Sequence, residues 1–134
     1  MIEYGFSKEL SLSFDEVVAQ ATDALKREGF AVLTSIDVQQ KFKEKLNIDF
    51  PRYLILGTCN PKFAHEAILA EENIGLMLPC NILVHEKGDK TVLAVMKPTV
   101  AMKMISNPQL EKVAQTVETK LKSVFDSVQA ATKG

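Results

Sequence analysis

The sequence predicts an α+β fold, a two-layer sandwich in which a mixed or antiparallel sheet carries its helices on one face. Three observations lead there. Two segments, one following Ser13 and one following Asn107, repeat apolar residues at helical spacing over several turns. Short apolar or β-branched runs, FAVLTSI, YLILG, NILVHE and TVLAVM, punctuate the chain between helical patterns. The last two flank KGDK, whose Gly88 suits the turn of an antiparallel hairpin. The element order reads βαβ, a short helix, then βαββα. A flavodoxin-like α/β sheet is the runner-up, and it would need a more regular alternation of strand and helix.

In chain order, Ile2, Tyr4 and Phe6 alternate with polar residues or glycine, the period of a half-buried strand that Leu10 and Leu12 extend. Ser13 with Glu16 forms a capping box, Val17, Val18, Ala21, Ala24 and Leu25 give the apolar stripe, and Gly29 supplies a left-handed stop. Residues 30–36 make the second strand. Val38, Phe42 and Leu46, four apart, stripe a short helix whose other faces carry Lys41, Lys43, Glu44 and Lys45. Pro51 breaks the chain before YLILG, apolar enough to be covered on both faces.

Asn60 is a favoured N-cap and Pro61 fits the first helical position, where its missing N–H needs no partner; AHEAILAEE continues the helix. Pro98 ends the second hairpin strand, and residues 99–105 read as a short helical stretch. Asn107 and Pro108 repeat the cap-then-proline device before a stripe from Leu110 to Val128 of about five turns.

Length and charge bound the function. The 134 residues fit one domain, 1–134, with a core that needs no disulfide or metal staple. Sixteen basic against seventeen acidic residues leave a net charge of -1, which lacks the basic field that nucleic acid or an anionic membrane attracts. The start MIEYGFSKELS has neither a basic leader nor an apolar run, and IGLMLPCNILV is too short to span a bilayer, so a cytoplasmic protein is expected. Two cysteines do not make a secreted disulfide framework, and both are expected as free thiols.

Motifs are mostly absent. The chain has no G-x-G-x-x-G, P-loop, H-E-x-x-H, C-x-x-C or G-x-S-x-G, so dinucleotide, nucleotide and zinc-protease chemistry have no support and no cofactor is expected. Lys97, Lys103, Lys112, Lys120 and Lys122 fall on different elements and read as a solvated surface. Cys80 and His85 are five apart on a strand and face opposite ways; no metal site is expected. His65 reads as an exposed residue of the first helical turn, and Glu66, Glu71 and Glu72 as a solvated face.

The stretch GTCNPKF is the exception. Cys59 lies at a strand end before a helix start, where free N–H groups and the helix dipole lower a thiol pKa and stabilise a nearby anion. The opposing reading is a small buried apolar cysteine. Cys80 is its potential partner: the two thiols approach each other if the strands run antiparallel and part if they run parallel. The ligand-site candidates are Cys59, Asn60, Lys62, Phe63 and Cys80.

YLILGTCNPKFAHEAI, then GLMLPCNILVHE, then Lys97 with Pro98, together with KFKEKLNIDF and Tyr53, resemble the bacterial and archaeal domain of unknown function 302 family from Tyr4 to Phe125. The resemblance implies an α+β fold with strand and helix order like the TATA-binding-protein fold, often found as a homodimer. It supplies no reaction and no catalytic residue. A homodimer is also expected because the strands are apolar on both alternations, leaving more surface than one layer of helices covers. The sequence therefore favours a small homodimeric binding or assembly domain with an anionic or polar ligand at the helix start over an enzyme; the alternative is a thiol-dependent redox or sensor role of Cys59 and Cys80.

Overall fold

In the computed structural model, which describes residues 2–129, the first signal of the sequence is realised directly: the Ser13 hydroxyl accepts from Glu16 N–H at 3.1 Å and opens helix α1, Phe14–Arg27. Glu28 closes it and Gly29 follows at φ +85°, a conformation that glycine adopts without penalty. The chain is thereby turned into β2, Ala31–Asp37.

The remaining elements are β1, Gly5–Leu10; α2, Val38–Leu46; β3, Tyr53–Cys59; α3, Pro61–Ala70; β4, Cys80–Lys87; β5, Lys90–Met96; α4, Pro98–Ala101; and α5, Pro108–Ser127. A 3-10 turn, Ile74–Met77, intervenes before β4. The predicted order stands, with that turn as an addition and the helical stretch read at residues 99–105 realised as the shorter α4; β1 begins later than its alternation predicts because Tyr4 lies outside the ladder, exposed.

All five strands form one sheet in the order β1-β5-β4-β3-β2, every neighbouring pair antiparallel. The wholly antiparallel ladder removes the flavodoxin-like alternative. Register explains the layers. Leu56 faces Ile82, Ile82 faces Val95 and Val95 faces Phe6, one row across four strands that α1 and α5 cover. From α1 come Val17, Ala21, Ala24 and Leu25, and from α5 Val117, Leu121, Val124 and Phe125, as their spacing dictates. Each fully buried aliphatic side chain there contributes roughly 1.5–3 kcal/mol relative to exposure.

The opposite face is not covered in the same way. Tyr53 and His85 are register partners one residue out of phase with the core row, and they stack at 5.3 Å on the other side of the sheet. Phe50 meets Tyr53 at 6.2 Å and Phe42 meets Phe50 at 5.0 Å, so the segment after β2 leans towards that face through a chain of rings. Ile55 is only half-buried, which corrects the expectation that YLILG is covered on both sides. The reason is topological, since the two long helices both lie on one face. A second, smaller cluster of Ala67, Ile74, Met102, Leu110 and Ala114 joins α3, the 3-10 turn and α5.

Candidate functional site

The site begins where β3 ends. Asn60 occupies the N-cap position of α3 and Pro61 its first turn, as the sequence predicts, but the Asn60 side chain makes no capping hydrogen bond. Its Nδ2 instead donates to the Glu28 carbonyl at 3.2 Å, fastening the start of α3 to the end of α1. Asn107 shows what the same device does when the side chain stays local. Its Oδ1 accepts from Gln109 and Leu110 N–H at 3.1 and 3.2 Å, while Nδ2 donates to the Ala70 carbonyl at 2.7 Å. At α3, Ala64 N–H reaches the Asn60 carbonyl, and the amides of Lys62 and Phe63 have no acceptor among the described residues.

Beside that helix start is a small cavity of about 30 Å³, the space of one water molecule. Four of the five sequence candidates, Cys59, Asn60, Phe63 and Cys80, line it; Lys62 does not, and stands exposed with its ammonium 5.5 Å from the Phe63 ring. No lining residue is charged, and α5 closes the cavity with Val113, Ala114 and Val117. Lys120 brings a second ammonium to 5.9 Å from the Phe63 ring and pairs with Glu28 at 3.9 Å.

The antiparallel pairing of β3 with β4 decides the cysteine question left open above. Thr58 faces Cys80 in register, and its buried hydroxyl donates to the Cys80 carbonyl at 3.0 Å. Cys59 is one residue further along, so the two cysteines border the same cavity, both as free thiols. The expected acidification of Cys59 is not found: burial pushes its thiol up from the usual value. Cys80 is pushed up to about 11, by burial first and by the neighbouring Cys59 second.

The histidines fall as predicted: His65 is exposed on α3, and His85 lies on the face opposite Cys80. Among the described residues no group of three or more His, Cys, Asp or Glu side chains could hold a metal ion. No helix among them is long and apolar enough to cross a membrane.

One convergence escaped the sequence. Lys97 and Lys122, from different elements, both reach the Phe6 ring, at 4.9 and 5.7 Å, while Lys8 donates to the Phe125 carbonyl at 2.6 Å and lies over the Phe125 ring. Burial pulls Lys8 below its usual range, with Asp126 opposing and Lys122 adding to the effect. The signal that could have found it is Lys8, a lysine in phase with Phe6 on the core side of an edge strand.

Comparison with known proteins follows the same lines. The family model described as Domain of unknown function DUF302 matches residues 6–128. The chain is similar to the crystal structure of an uncharacterized conserved protein DUF302 from Bacillus stearothermophilus, at 29% identity over 96% of this chain and 100% of that one, with a TM-score of 0.88. None of the curated proteins compared with it matches.

Proposed function

The chain belongs to the DUF302 family, and from that premise and the geometry of the α3 start we propose that it is a small homodimeric binding domain, not a catalyst, that takes a small anionic or polar ligand beside Asn60. The observation that carries the reading is the diversion of Asn60 to Glu28, which leaves the Lys62 and Phe63 amides unbonded at a helix start whose Phe63 ring has the Lys62 and Lys120 ammoniums 5.5 and 5.9 Å away. Unpaired amides at a helix start attract negative charge, and two ammoniums beside one ring add to it. The cavity that Cys59, Asn60, Phe63 and Cys80 border then holds no more than a small group of the ligand.

The experiment is a titration with inorganic phosphate, acetate and a nucleoside triphosphate while the amide resonances of Lys62, Phe63 and Ala64 are followed. Saturable shifts confined to these amides are expected for at least one anion. Silence across the panel overturns the proposal.

A thiol-dependent role for Cys59 and Cys80 keeps one observation in its favour, their placement on one cavity at an antiparallel strand end. Burial works against it by raising both thiols. Iodoacetamide reactivity of Cys59 against pH separates the readings: a midpoint at or above about 8.5, the free-thiol value, removes the thiol-dependent role.

A further inference from the structure

Residues 31–50 form a strand, a helix and a return loop, and not one of these twenty residues is buried. Regular structure of that length is held in a folded protein by apolar burial, not by propensity. The segment has the side chains for it, yet Val32, Leu33, Ile36, Leu46, Ile48 and Phe50 all stand exposed, Leu33 and Leu46 at 61%. α2 caps its first turn with Asp37 and ends at Asn47 in the left-handed conformation, so it is a well-bounded helix with no buried residue.

The two edges of the sheet differ in a way that bears on this exposure. β1, at one end, carries Lys8 turned inward on to Phe125 and Glu9 paired with Lys87 at 3.8 Å, charges of the kind that keep an edge from pairing with another chain. β2, at the other end, reads AVLTSID, with no charge before its last residue and no proline. Its inner side pairs with β3, and its outer side pairs with no strand among the described residues.

From this asymmetry we propose that the β2–α2 limb is the contact surface for a second copy of the chain, β2 pairing antiparallel with its own copy across a two-fold axis so that two five-stranded sheets become one. This rests on the homodimer reading above and names its interface. An antiparallel edge is self-complementary, as a two-fold contact requires. The limb's three lysines, Lys41, Lys43 and Lys45, balance Asp37, Glu44 and Asp49, with Lys41–Glu44 at 3.7 Å and Lys43–Asp49 at 3.2 Å, so two limbs meet without net repulsion. Twenty residues also match the roughly 20–30 that each side of a stable interface contributes.

Sedimentation at micromolar concentration of the wild type, of a Leu33→Lys/Ile36→Lys double variant and of a Leu69→Lys/Leu76→Lys control on the exposed apolar surface elsewhere tests it. The expected result is a dimer for wild type and control and at least a hundredfold weaker association for the limb variant. A monomeric wild type overturns both this proposal and the homodimer reading. A dimer that survives the limb variant overturns this proposal alone. Should the limb variant not fold, wild-type amide exchange decides: β2 amides are slowed at least a hundredfold on going from dilute to concentrated protein. Rates that do not change across the range in which the chain becomes dimeric overturn the proposed pairing.

Discussion

Gly57 is the position at which the smallest change tests the geometry beside the site. It lies in β3 between Leu56 and Thr58, both turned to the core, so a side chain at 57 would emerge on the opposite face. There Thr34 is its register partner on β2, and Pro79 leads into β4. A Cβ at 57 would collide with the Thr34 hydroxyl and come within 2.8 Å of Pro79 Cγ. The backbone does not require glycine, because Gly57 is absent from the positive-φ residues. The cost of Gly57→Ala is therefore steric. Forcing one extra methyl into closed packing costs about 1–3 kcal/mol, and the lower entropy of the unfolded alanine chain returns about 0.4–1 kcal/mol.

A net loss of about 1–2 kcal/mol follows, a fall in Tm of roughly 3–10 °C for a chain of this size. Thermal and urea unfolding followed by circular dichroism measure it, at one protein concentration and again at tenfold dilution so that any change in association is separated from folding. The two neighbours separate in a double-mutant cycle. Thr34→Ala removes the nearer obstacle, so Thr34→Ala/Gly57→Ala should be less destabilised than the sum of the singles by about 0.5–1.5 kcal/mol. A Gly57→Ala protein as stable as wild type, with no coupling to Thr34, would refute the close approach of β2, β3 and Pro79 at this point.

Asn107 and Asn60 should respond differently to alanine. Asn107→Ala removes a cap on two amides and a tie to the Ala70 carbonyl and should cost about 1–2 kcal/mol, whereas Asn60→Ala loses one hydrogen bond to Glu28 and should cost about 0.5–1.5 kcal/mol; urea midpoints check the order. Cys80 predicts an alkaline weakness. Burial favours its neutral thiol, so the folded value of about 11 lies above the unfolded value of 9.0; the stabilisation is fully present below pH 9 and is lost as pH rises through 11. Unfolding of wild type against Cys80→Ala from pH 8 to 11 should show wild type losing more stability over that window, and parallel curves would contradict the burial of the thiol.

Local chemistry made most of the secondary structure legible. Ser13, Gly29, Gly88, Pro61 and Asn107 each satisfy or interrupt a backbone hydrogen-bond pattern within a few residues of themselves, and each does so here. The helical stripe from Leu110 to Val128 was legible for the same reason, since a period of 3.6 residues fixes which side chains share a face. What was not legible depends on partners far along the chain. Asn60 and Asn107 read alike as Asn-Pro helix starts, but the carbonyl that draws Asn60 away belongs to Glu28, 32 residues earlier. Cys59 has the helix start that lowers a thiol pKa, and the burial that raises it is a property of the packed elements around it.

Strand order is the deepest of these long-range facts, because it alone decides what an apolar strand means. FAVLTSI and TVLAVM carry similar patterns, yet β5 lies between β1 and β4 with most of its residues buried, while β2 lies at the edge with all seven exposed. Hydrophobic periodicity reports which faces a strand offers for burial and is silent on what buries them. For β5 the answer lies within the chain, in α1 and α5. For β2 nothing among the described residues supplies it, and the same chain that guards its β1 edge with Lys8 leaves the β2 edge without a charge before Asp37. Since β2 also pairs with β3 up to Ala31 opposite Cys59, whatever orders the limb bears directly on the strand that delivers Asn60 to the start of α3.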